Sequence, residues 1–131
     1  MRALDLRIAA AALAIAGLFG VQSAGAQPTG EQLYNDNCAA CHQKAGQGIP
    51  GAFPALKGDK IALGDEKTVA FLLLTGRGGM PAFKDSLSDG ELATIMTYVR
   101  AAWGNKGKAI APAIFAKART GPPPSTRLQA H

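Results

Sequence analysis

Cys38-Ala39-Ala40-Cys41-His42 constrains this chain more than any other stretch of it. The spacing C-x-x-C-H reads as a covalent attachment site for a c-type haem. Each thiol can add across one haem vinyl group, giving two thioether bonds, and His42 is then placed to ligate the iron from one face. These are the only two cysteines in 131 residues, so no disulfide framework competes for them. A chain tethered in this way must supply a second iron ligand, an apolar wrapper and an oxidising compartment. Two other uses of C-x-x-C fit less well. A thioredoxin-like redox pair needs a preceding strand in a βαβ setting, and no such pattern precedes Cys38. Zinc needs four ligands, and beyond Cys38, Cys41 and His42 only the terminal His131 remains.

The N-terminus carries an export pattern. Arg2 and Arg7 precede an uncharged apolar run of 14 residues, Ile8 to Val21, followed by an Ala24-x-Ala26 ending that suits signal peptidase. The run is short against the roughly 20 residues of a membrane span. A cleaved leader over residues 1–26 is therefore expected, with a periplasmic mature protein and no stable membrane insertion after cleavage. The remaining 105 residues make one small domain, for which a haem at the centre would extend a limited core. Without the leader the charge is 12 basic against 8 acidic residues, a net +4. That balance suits docking to acidic protein surfaces. Nucleic-acid binding would require denser basic clusters with interleaved aromatics, which this sequence lacks.

The patterning is helical. Thr29 and Gln32 form a capping-box signature that opens a helix through Leu33 and Tyr34 into the cysteine motif. Gln43 to Lys60 is rich in Gly and Pro and reads as loop. Asp65-Glu66 starts a second apolar stretch, Val69 to Leu74, with Gly76 as its stop. Ser88 and Glu91 form another capping box, with Leu87 and Leu92 as a hydrophobic staple. Leu92, Ile95, Met96, Val99, Ala102 and Trp103 then keep helical spacing. No alternating strand pattern competes, so the chain reads as all-α. Residues 27–105 form the expected domain. Residues 106–131 form a basic, Pro-rich extension in which Pro112 to Arg119 can make one short helix and the final dozen residues are expected to be disordered.

Of the three methionines, Met1 falls in the leader and Met96 on the apolar face of the last long helix. Met80 lies in Gly76-Arg77-Gly78-Gly79-Met80-Pro81, where glycines permit close backbone approach and Pro81 keeps Met80 extended. A thioether is a soft neutral donor that favours ferrous iron, which makes Met80 the candidate second ligand. The competing use is a methionine filling a core gap.

With these parts in this order the chain resembles a class I c-type cytochrome over about Gly30 to Asn105. The resemblance implies the cytochrome c fold, three core helices wrapped around one covalently attached haem c. Members also carry a proline twelve residues after the haem histidine, within P-x-L-x-G, and Pro54-Ala55-Leu56-Lys57-Gly58 stands at that offset. By resemblance the Pro54 carbonyl accepts a hydrogen bond from the free ring N–H of His42, fixing the ring tautomer. Pro54 is otherwise an ordinary turn proline. The family also places a glycine where the first and last helices cross, beside aromatics. Gly30, Tyr34 and Tyr98 match those places, although a frayed helix start would equally leave a glycine there. The extension beyond Asn105 departs from small soluble members and is similar to cytochrome subunits of periplasmic dehydrogenases.

The function implied is one-electron transfer, without catalysis, with both axial positions filled by His42 and Met80. Electrons would pass between a dehydrogenase and a downstream cytochrome or terminal oxidase. Lys44, Lys57, Lys60 and Lys84 could ring the exposed haem edge, although each is also an ordinary solvated lysine. The rivals are a fixed cytochrome subunit of a dehydrogenase complex and a haem peroxidase or gas-binding protein, which needs a labile distal position.

Overall fold

A computed structural model describes residues 25–125 of the chain. All but the last two residues of the expected leader, and the tail from residue 126, lie outside the described residues. The elements in order are α1 (Gly30–Asn37), α2 (Ala39–His42), α3 (Glu66–Thr75), α4 (Asp89–Ala101), a single 3-10 turn (Ala102–Gly104) and α5 (Pro112–Thr120). Among the described residues no strand forms. The only extended pairings among the described residues are the isolated bridges Ile49–Phe53 and Arg77–Met80.

Local chemistry sets the helix starts. Thr29 Oγ1 accepts the Gln32 N–H while the Gln32 side chain accepts the Thr29 N–H, closing the expected capping box. Ser88 and Glu91 repeat the arrangement at α4. Asp65 caps α3 by accepting the Thr68 N–H at 2.8 Å, and that bond holds its carboxyl below the usual carboxylate range. The first helix does not run straight into the motif. Cys38, at φ −125°, breaks it, and α2 resumes as one turn.

Helices α1 and α4 cross closely, and Gly30 is the reason they can. A Cβ at Gly30 would lie 2.7 Å from both the Thr94 carbonyl oxygen and the Tyr98 Cβ, inside any real contact distance. Tyr34 is fully buried at this crossing, its ring centroid 5.6 Å from Tyr98 and 5.1 Å from Trp103. Three aromatics in mutual contact exceed what area burial alone supplies by about 0.5–1.5 kcal/mol per pair.

The expected helical spacing through Ala102 and Trp103 ends early. α4 stops at Ala101, and Trp103 takes a left-handed backbone with φ 56°. The turn swings the indole back onto Tyr34 and Tyr98, and that packing offsets the backbone strain.

The core does not end at Asn105, where the sequence divides the domain from its extension. Ile110 is 2% exposed and Phe115 is fully buried. Pro112 at the first position of α5 suits a helix start, and Ile114, Phe115 and Ala118 turn one face inward against α3 and α4. Burying a phenylalanine contributes roughly 1.5–3 kcal/mol. The segment 106–121 is part of the packed unit.

Candidate haem site

The cysteine motif sits where α1 hands over to α2. The Cys41 and His42 N–H groups both donate to the Cys38 carbonyl, at 3.2 and 2.9 Å. One turn of this kind puts positions three and four apart on the same face. Cys38 and Cys41 are free thiols, each half-buried. Burial pushes the Cys38 thiol up to about 11, with neighbouring Cys41 adding to the effect. Burial likewise raises the Tyr34 phenol, whose O–H donates to the Gln43 carbonyl at 2.7 Å.

His42 is buried, and its Nδ1 lies 2.8 Å from the Pro54 carbonyl oxygen. A carbonyl only accepts, so Nδ1 carries the proton and the Nε2 lone pair is left free for a metal. The loop between them folds sharply to make this possible. The Gly48 N–H donates to the His42 carbonyl at 2.9 Å, and Gly46 O accepts from both Leu56 and Lys57. Gly48 has φ +63°, and a Cβ there would lie 2.4 Å from the Phe53 carbonyl oxygen. Only glycine passes. Reciprocal bonds of 2.8 Å between Ile49 and Phe53 close the loop tip. Ile49 and Phe53 are 41% and 38% exposed beside an open depression of about 370 Å³ reaching Pro54.

Met80 belongs to a second loop, tied separately. After α3 ends at Thr75, the Arg77 N–H donates to Met80 O and the Met80 N–H to Arg77 O, at 3.1 and 2.9 Å. The Phe83 N–H returns to the Leu73 carbonyl at 2.9 Å. Met80 is half-buried and packs, like Cys38, against the edge of the core. Thus Cys38, Cys41, His42 and Pro54 form one hydrogen-bonded run, while Met80 is brought to the core by its own turn.

Two positioning residues carried no role in the sequence reading. Buried Asn105 accepts the Gly58 N–H at 2.8 Å and donates to the Leu56 and Val99 carbonyls at 3.3 and 2.8 Å. It therefore fastens the end of the Pro54 loop to the end of α4. Arg100 is 4% exposed and donates to Lys108 O, Ala62 O and Gly64 O, at 2.6, 2.9 and 3.1 Å. Among the described residues its acceptors are all backbone carbonyl oxygens. The run Trp103-Gly104-Asn105 was the available signal, since a polar amide directly behind a breaking helix often caps or fastens a loop.

The donor set fits a c-type haem. It offers two thiols one turn apart, an imidazole with its metal-binding nitrogen free, and exposed apolar side chains beside Pro54. Residues 25–99, more than half of the chain, match the family model described as cytochrome c oxidase, cbb3-type, subunit III. Cytochrome c6 of Leptolyngbya boryana is 39% identical over 72 residues, covering 53% of this chain and 85% of that protein. Cytochrome c-552 of Thermus thermophilus is 35% identical over 98 residues, covering 63% and 66%. The chain is a class I c-type cytochrome. A covalently bound c-type haem follows from that membership. The cytochrome is also 33% identical over 111 residues to the alcohol dehydrogenase (quinone) cytochrome c subunit of Gluconobacter oxydans, covering 74% of this chain. It spans 23% of that subunit's length and just under two thirds of the Thermus protein. No helix among the described residues is long and apolar enough to cross a membrane.

Proposed function

We propose that this cytochrome is a periplasmic one-electron carrier holding one haem c through Cys38 and Cys41, with His42 and Met80 as axial ligands. The observation that carries the proposal is the 2.8 Å bond from His42 Nδ1 to the Pro54 carbonyl. It fixes the tautomer and the ring orientation and raises the basicity of Nε2. When bound, the haem supplies a single iron that cycles between ferrous and ferric states. The protein's part is to keep the same two ligands in both states, so that little reorganises when an electron moves. His42 is held by its loop, and the Arg77–Met80 turn presents the thioether. Exposed Lys44, Lys57, Lys60 and Lys84 give the surface a positive character suited to acidic redox partners, through contacts weakened by salt. A dehydrogenase would be the donor, and a downstream cytochrome or terminal oxidase the acceptor.

Absorption spectra of the holoprotein, oxidised and dithionite-reduced, with and without carbon monoxide, test this. A sharp low-spin ferrous band, a weak red-edge Met-to-ferric band and no carbon monoxide shift are expected. Met80→Ala should abolish the red band. Ready carbon monoxide binding by the wild type would defeat the carrier reading in favour of a peroxidase or gas-binding protein.

Similarity to the Gluconobacter subunit favours a second reading, a fixed cytochrome subunit of a dehydrogenase. Co-purification with a large partner that survives high salt would support it over a free shuttle.

A further inference from the structure

Helix α5 ends against the stretch that leads out of the Met80 loop. Arg119, in its last turn, donates from Nε to Asp89 Oδ1 at 2.6 Å, from Nη1 to the Lys84 carbonyl, and from Nη2 to the Leu87 carbonyl at 2.8 Å. All three nitrogens of the guanidinium are engaged, and all three acceptors lie within residues 84–89. That stretch follows directly on Met80-Pro81-Ala82-Phe83. The helix bearing Arg119 is itself anchored. Phe115 is fully buried, Ile114 and Ala118 pack against the core, and Arg100 holds the Lys108 carbonyl just upstream. α5 also packs on α3, whose Leu73 carbonyl receives the Phe83 N–H. Both the entry and the exit of the Met80 loop therefore lean on the same helix.

We infer that α5 is a strap over the Met80 loop and that Arg119 is its positioning residue, slowing exchange of the Met80 thioether for outside ligands. The inference rests on the reading of Met80 as an iron ligand. The Arg119 and Asp89 side chains are each 28% exposed, so their ion pair contributes little by itself. The two carbonyl bonds matter more. They require the planar fork of arginine, which lysine lacks.

Imidazole titration of the ferric holoprotein, followed by loss of the weak red-edge band, tests the strap. Arg119→Ala and Arg119→Lys should each release Met80 to imidazole about tenfold faster than wild type, the factor corresponding to one lost charged hydrogen bond. Asp89→Asn should change the rate by about twofold or less, as for a partly exposed pair. Thr29→Ala, which removes the α1 cap, should lower the unfolding temperature without changing the imidazole rate. Wild-type rates in both Arg119 variants would overturn the inference. So would an equal acceleration in Thr29→Ala, because global loosening would then explain the effect. A wild type without the red band, or a Met80→Ala variant that keeps it, would remove the ligand reading itself. That outcome is distinct from a strap that fails while Met80 still binds.

Discussion

Residues 43–58 bring Pro54 to His42, and residues 76–88 carry Met80 against the core, yet the two loops are secured differently. The first is stitched to itself and to α4. Gly46 and Gly48 anchor it from within, and buried Asn105 fastens its end. The second turns on the single Arg77–Met80 pair, returns once to α3, and is then fixed from outside by Arg119 of α5. The histidine side is thus held by backbone bonds within its own loop and by one buried amide. The methionine side depends on a helix that lies beyond the part resembling small soluble cytochromes. Stability and ligand exchange should accordingly be separable, with the first following Asn105 and the core and the second following α5.

Phe115→Ala should have the largest effect, lowering the unfolding free energy by about 3–5 kcal/mol through loss of a buried aromatic. In a denaturant titration of the holoprotein, the red-edge band should disappear before the helical circular dichroism. Coincident loss would mean that α5 has no special hold on the methionine side. Asn105→Ala leaves the Gly58 N–H and two carbonyls without their partner, at a cost of about 2–3 kcal/mol. It should disturb the imidazole proton signals of His42 in NMR while the red band persists. A variant that instead lost the band would place Asn105 on the wrong side of the division. Ser88→Ala should cost about 1 kcal/mol in thermal unfolding by removing the α4 cap.

The smallest effect concerns acid. The Thr68 N–H bond depresses the Asp65 carboxyl, so the folded state binds its proton more weakly than the unfolded state does. The resulting stabilisation is present above the unfolded value of about 3.9 and is lost as pH falls through the lower folded value. Asp65→Asn should therefore be less stable than wild type at neutral pH, with the difference closing below about pH 4. An unchanged gap down to pH 2 would remove the charge from the account of this cap.

What the sequence made readable was local. Thr29 with Gln32 and Ser88 with Glu91 are caps spanning three residues, and both form as the pattern implies, while Asp65, where the second apolar stretch starts, turns out to cap α3. The motif Cys38 to His42 and the offset of Pro54 are likewise short-range, and their hydrogen bond spans twelve residues. The unread parts depend on distant partners. Trp103 leaves the helical path because Tyr34, far earlier in the chain, rewards a left-handed turn that local spacing does not encode. Asn105 reaches across 47 residues to Gly58, and Arg119 across 32 to Leu87. In sequence these look like an ordinary loop amide and one more cation in a basic extension. Their roles exist only once the helices have assembled.

The Gly30 crossing also sets an order in time. α1 and the residues that cover it, Thr94, Tyr98 and Trp103, stand far apart in the chain. Contacts between such distant segments form late, because loop closure must precede any reward from packing. The close fit of α1 against α4 is therefore the clasp that shuts last.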